Sequence, residues 1–250
     1  MILRVIVTIV LFVAGSLTAY EYLGDQVKGH QIQEFFEDQK SIDLSIAAAR
    51  GDERAIKQLL SEGARINDTG KDNMTSLMWA FGARNRTGFQ ALLENGADPN
   101  IIIRGGDSVM TFAAGEDDPW FLEEALKYGG NPNFYNPERK LPILVDTVSP
   151  GKLEHIKLLI EFGADVNTTD ASGETALMAA TTLNQYDIVY YMLKQGADYH
   201  IKDKWGTTII DVIEDRLNRN LIDPDNKLYE WCMKVVAYLR DRGEQVHLEP

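Results

Sequence analysis

The chain has 250 residues, 44% hydrophobic content and 25 Lys+Arg against 38 Asp+Glu, a formal net charge of −13. That is apolar material enough for a sizeable core, and the acidic balance repels phosphate backbones, which argues against a nucleic-acid partner; it suits a basic protein partner or simply keeps the chain in solution. One cysteine, Cys232, excludes an intramolecular disulfide and a Cys-rich metal site; in its helical Tyr-Glu-Trp-Cys-Met-Lys surroundings it reads as a buried structural thiol.

Residues 1–20 come first. Arg4 precedes an uncharged apolar run from Val5 to Tyr20, and no acid appears before Glu21. This is the pattern of an export signal. Two fates stay open: cleavage as a signal peptide, or retention of residues 5–23 as an inner-membrane anchor. Both place the bulk of the chain in the periplasm, soluble or anchored. Residues 21–40 read as a linker and N-terminal capping helix, in which Ile32, Phe35 and Phe36 share an apolar face.

Residues 41–250 are organised by a repeat. Glycine follows a helix end at Gly63, Gly96, Gly129, Gly163 and Gly196, at spacings of 33 or 34 residues, and again at Gly243. The stretch before each, such as Ile56–Leu60, Phe89–Leu93 or Ile188–Leu193, carries apolar residues three and four apart, a helix with one buried face. The glycine then supplies the left-handed stop. Turns rich in Asp, Asn and Pro follow: Asp98-Pro99-Asn100, Asn131-Pro132-Asn133, Asp165-Val166-Asn167, Asp198-Tyr199-His200. A second helix then begins behind Thr75, Ser108 or Thr175, whose hydroxyls suit an N-cap. Repeat four starts irregularly at Asn136-Pro137-Glu138-Arg139-Lys140-Leu141-Pro142. Repeat six carries 14 extra residues between Thr208 and Gly243, placed as a loop around Arg219–Lys227.

Catalytic constellations are missing from the sequence. There is no G-x-S-x-G, H-E-x-x-H or phosphate loop. His30, His155, His200 and His247 are scattered, and His155 reads as solvated on an outer helix. A calcium loop starting at Asp165 fails, since position 6 is Asp170 and position 12 is Ala176. N-x-T sequons at Asn73, Asn85 and Asn167 would suit glycosylation in a eukaryotic secretory protein, but Asn167 and Thr75 already have repeat roles, and coincidence is the preferred reading. The expectation is a non-enzymatic protein without cofactor or metal.

With Gly173-Glu174-Thr175-Ala176-Leu177-Met178-Ala179-Ala180 running through to Gly196-Ala197-Asp198, the chain resembles the ankyrin-repeat family over Ile42 to Val246. The resemblance implies an all-α solenoid of about six helix-turn-helix repeats with hairpin loops. The family's histidine slot holds Ser45, Met78, Thr111, Leu144, Met178 and Asp211, and only Pro142 fills its proline slot. Hydrogen bonds between neighbouring hairpins are therefore expected to be partly missing, with less regular packing.

The resemblance further implies that hairpin tips and inner, concave helices bind protein partners. The matching slots in the first half are Lys71, Asp72, Met74, Ile102, Arg104, Asp107 and Glu116. In the second half they are Tyr135, Glu138, Lys140, Ser172, Glu174 and Leu183, then Lys202, Lys204, Trp205, Asp215 and Arg216. Tyr135, Trp205 and Arg104 stand out because aromatics and Arg concentrate interface energy. Exported bacterial ankyrin proteins of this appearance resemble immunity proteins of the type VI secretion system, which neutralise toxins such as lipase effectors. The alternative is a periplasmic scaffold or stress-protective protein that binds an envelope enzyme without inhibiting it.

Overall fold

The computed structural model describes residues 26–27 and 29–248; the expected export segment lies outside them. Among the described residues no helix is long and apolar enough to cross a membrane. The chain divides into two compact units, Met1–Asn131 and Pro132–Pro250.

The first unit opens with a small hairpin that the all-α expectation did not contain. Strand β1 (Gln26–Val27) pairs antiparallel with β2 (His30–Gln31). In place of the expected capping helix a single 3-10 turn follows, Ile32–Glu34. Val27, Ile32 and Phe36 are buried here, and the Phe35 ring lies 5.9 Å from Trp79. Helix pairs come next: α1 (Gln39–Arg50) and α2 (Glu53–Ser61), α3 (Ser76–Gly82) and α4 (Arg86–Glu94), α5 (Val109–Gly115) and α6 (Trp120–Lys127).

Several helices start where a side chain satisfies a free amide. Thr75 Oγ1 accepts from Met78 N at 3.1 Å, Asn85 Oδ1 from Gly88 N at 2.9 Å and Ser108 Oγ from Met110 N at 3.2 Å. Helices α3 and α5 are short and almost wholly buried, so α3 reads Ser-Leu-Met-Trp-Ala-Phe-Gly with no charge. Their small residues permit close approach. A Cβ on Gly88 would stand 1.8 Å from Ala48 O, which shows how tightly α4 lies on α1. Leu44, Leu77, Trp79, Phe89, Leu92 and Leu122 fill the core, each contributing about 1.5–3 kcal/mol by leaving water.

In the second unit β3 (Tyr135–Asn136) pairs with β4 (Leu141–Pro142), and α7 (Ile143–Asp146) is a single turn. Asn136 Oδ1 accepts from Glu138 N and Arg139 N and shapes the irregular hairpin of repeat four. The remaining helices are α8 (Leu153–Glu161), α9 (Ala176–Thr182), α10 (Tyr186–Lys194), α11 (Ile209–Asn218) and α12 (Lys227–Arg240). His155 is buried on α8, against the solvated position expected for it, because α8 turns that side chain inward with Ile156 and Leu159. The 14 extra residues of repeat six form only partly a loop. Helices α11 and α12 are three and five residues longer than α9 and α10, and the connection 219–226 is five longer than 183–185.

The bonds expected to be missing between hairpins come from another position. Asn67 Nδ2 donates to Gly96 O at 3.1 Å, and its Oδ1 accepts from Asp98 N at 2.8 Å. Asn100 does the same with Gly129 O and Asn131 N, at 2.9 and 2.7 Å. In the second unit Asn133 bonds Gly163 O and Asp165 N, and Asn167 Oδ1 accepts from Asp198 N. The next rung is His200, whose Nε2 lies 3.4 Å from Glu244.

Candidate partner-binding surface

Backbone bonds join successive tips within each unit. Lys71 N donates to Phe35 O at 2.7 Å, Arg104 N to Asp72 O at 3.0 Å and Lys204 N to Ser172 O at 2.9 Å. Side chains reinforce them: Asn73 Nδ2 donates to Ile102 O at 3.0 Å, and Arg104 Nη1 lies 3.4 Å from Asp72 Oδ1. Such tips hold their side chains in fixed positions, which lowers the entropy lost on binding.

In the first unit Lys71, Ile102 and Arg104 are exposed, whereas Asp72 and Asp107 are half-buried. Two of the expected slots are corrected. Met74 is buried, because its side chain turns into the core ahead of α3. Glu116 is buried too, its Oε2 2.6 Å from Arg84 Nη2. That pair and its neighbour Arg86–Asp118 tie adjacent helix connections together, so Glu116 serves the fold and not the surface.

In the second unit Tyr135, Glu138, Lys140, Leu183, Lys202, Lys204, Trp205 and Asp215 are exposed. Ser172, Glu174 and Arg216 are half-buried, and Arg216 Nη2 donates to Thr182 O at 2.5 Å. Trp205 is 73% exposed, and Lys204 Nζ lies 4.3 Å from its ring centre. Its position is set by Asp203 Oδ1, which accepts from Trp205 N and Thr207 N, both at 2.9 Å. Asp170 Oδ1 shapes the preceding tip in the same way, accepting from Ser172 N, Ser172 Oγ and Glu174 N.

The electrostatics follow from this packing. Burial pushes the Glu174 carboxyl above the usual carboxylate range, and Asp170 and Asp203 push it further. Burial acts in the same sense on Asp170, but its hydrogen bonds from Ser172 and Glu174 outweigh it and hold this carboxyl low. Leu183 and Arg216 belong to a different region. Leu183 follows the C-terminal end of α9, roughly 10 Å of helix from the hairpin at its start. Cys232 is buried, and burial raises its thiol to about 11, the setting of an inert structural side chain.

Among the described residues, three exposed large apolar residues lie outside the expected set: Tyr128, Phe162 and Leu221. A signal for two of them was present. Tyr128 and Phe162 occupy the slot before a helix-stopping glycine where other repeats place Glu62, Asn95 and Gln195.

Comparison with known proteins agrees with the repeat. A family model described as ankyrin repeats (3 copies) matches residues 21–103 and 110–203. Protein PhlB of Serratia liquefaciens is 30% identical over 161 residues, covering 64% of this chain and 70% of that protein. The putative ankyrin repeat protein YahD of Escherichia coli is 29% identical over 181 residues, covering 70% and 89%. Of the mouse ankyrin repeat and SAM domain-containing protein 6, 35% identical over 120 residues, the match spans 13%. Among solved structures, an ankyrin repeat domain from Acinetobacter baumannii aligns with TM-score 0.64 and 28% identity, over 77% of this chain and 97% of that one. A chain in the structure of a predatory endopeptidase of Bdellovibrio bacteriovorus in complex with an immunity protein aligns with TM-score 0.59 over 77% and 97%; at 24% identity this speaks for the fold alone. Ankyrin repeats are protein-interaction modules, and this chain, matched over most of its length, belongs to the ankyrin-repeat family.

Proposed function

We propose that this chain is a non-enzymatic protein-binding module working outside the inner membrane, and most specifically an immunity protein that binds and neutralises a secreted toxin such as a lipase effector. The observation that carries the binding reading is Trp205, a large apolar side chain standing in water on a hairpin braced by Asp203. A solvated indole on a rigid support is the kind of anchor that concentrates binding energy. Tyr135, on the hairpin of repeat four, adds a second exposed ring within the same unit. The location rests on the sequence alone, on Arg4 followed by the uncharged run Val5–Tyr20. The immunity role rests on analogy: the same fold occurs in a complex between a bacterial endopeptidase and an immunity protein.

The test is to recover the exported chain from the periplasm, identify the protein bound to it and assay that protein with and without the chain. Loss of the partner's activity on binding, together with killing of deletion strains by kin cells, is the expected result. A partner that keeps full activity favours the scaffold reading. Recovery of the same partner by both Trp205→Ala and Tyr135→Ala at wild-type level overturns the choice of surface.

A further inference from the structure

The outer helices of the second unit carry a second surface, distinct from its hairpin edge. The Tyr190 ring on α10 stands 5.9 Å from Trp231 and 6.1 Å from Tyr238, both on α12. Three cations border these rings. Lys234 Nζ lies 4.0 Å from the Trp231 ring centre; the Arg242 guanidinium and Lys194 Nζ lie 3.5 and 6.0 Å from that of Tyr238. The rings are half-buried and the three cations exposed.

Two features set this patch apart from ordinary helix packing. Lys234 could reach back one turn to Glu230 but lies on the indole instead, and among the described residues neither Lys194 nor Lys234 is in an ion pair. Three of the carboxylates near in sequence are engaged: Glu244 is held by His200, Asp198 accepts from His200 N, and Asp187 accepts from Ile188 N. Asp241 and Glu230 remain as exposed acids at its border. A chain of net charge −13 thus keeps three neighbouring cations beside a shared aromatic surface. Charges of distant acids are screened beyond about 8 Å at physiological salt, so a ligand here meets the local cations.

We propose that this face docks an acidic segment of a protein partner, with carboxylates at Lys194, Lys234 and Arg242 and an apolar side chain on the Tyr190–Trp231–Tyr238 rings. Trp231 and Tyr238 already hold the three cations in place, so little side-chain order is lost on docking.

The test uses the full chain and a fluorescein-labelled random copolymer of Glu and Tyr, read by fluorescence anisotropy. Binding is expected to weaken at least about tenfold in the double variant Lys194→Glu, Lys234→Glu, and between about 50 and about 300 mM salt. The double variant Lys194→Arg, Lys234→Arg is expected to keep it, with circular dichroism confirming the fold of both. Equal binding by the Glu variant, or equal binding of a Lys–Tyr copolymer, overturns the proposal. So does loss of binding only in Lys202→Glu, Lys204→Glu, which points to the hairpin edge. Lysine-dependent capture of phosphatidylglycerol vesicles without copolymer binding makes the face a membrane surface and also overturns it. None of these failures touches the hairpin-edge reading, which Trp205→Ala tests separately.

Discussion

Asn67 and Asp98 join two neighbouring repeats through one carboxamide: Asn67 Oδ1 accepts from Asp98 N at 2.8 Å, while Nδ2 of the same side chain donates to Gly96 O at 3.1 Å. Replacing Asn67 by Ala removes both bonds. The expected cost is about 1–2 kcal/mol in urea unfolding. Asn133→Ala is expected to cost as much in the second unit, where the same pair of bonds runs to Asp165 and Gly163. Unchanged midpoints in both variants count against a structural role for these rungs.

Gly88 and Gly96 are glycines for different reasons. At Gly88 the limit is space, since a Cβ would meet Ala48 O at 1.8 Å. Gly88→Ala is expected to cost about 2–3 kcal/mol or more by forcing α4 off α1. At Gly96 space is open but φ is +91°, so Gly96→Ala costs about 1–2 kcal/mol through the backbone alone. Calorimetric melting of the two variants distinguishes the causes by size.

Trp205→Ala is expected to leave stability within about 0.5 kcal/mol, since the ring is mostly solvated. The binding reading requires a loss of about 2 kcal/mol or more in affinity for the partner recovered from the periplasm. The variant also loses the most solvated of the four tryptophans, so its mean emission shifts to shorter wavelength and acrylamide quenching falls.

Glu174 and Asp170 predict opposite pH responses. Burial and the charges of Asp170 and Asp203 raise Glu174, so the folded chain holds this proton more tightly than the unfolded chain. Its contribution favours folding below the unfolded value and is lost as pH rises through the raised folded value. Glu174→Gln is therefore expected to be more stable than the parent at neutral pH, with the difference closing on acidification. Asp170 is held low by Ser172 and Glu174 donors against the effect of burial. Its contribution is present at neutral pH and lost as pH falls through the depressed value. Asp170→Asn is thus expected to be less stable at neutral pH, again converging in acid. Melting curves across pH with the same sign for both variants refute this account.

The repeat was legible because glycine, the apolar helix face and the capping Thr or Ser recur at one spacing, and each is a local constraint. Thr75, Ser108 and Thr175 cap the helices they precede. The burial of Met74 and Glu116 was not legible. Both occupy slots that face water in the family pattern, and only the packing ahead of α3 and the Arg84 guanidinium withdraw them. The asparagine rungs were visible as a repeating Asn, but their role depends on carbonyls about 30 residues away. The β1–β2 hairpin was hidden because two residues per strand leave no alternation to read. The surface on α10 and α12 was hidden because its aromatics sit in helices whose periodicity reads as ordinary packing.

The asparagine rungs also set how the molecule yields to force. Each one ties a repeat only to its immediate successor, through atoms 29 to 31 residues along the chain in the first unit. Tension applied to the two ends of the first unit therefore loads similar latches in series, and the weakest yields first. Rupture of one releases a single repeat of about 33 residues, roughly 12 nm of extended chain, and leaves the next latch bearing the load. The unit is built to part in instalments of one repeat.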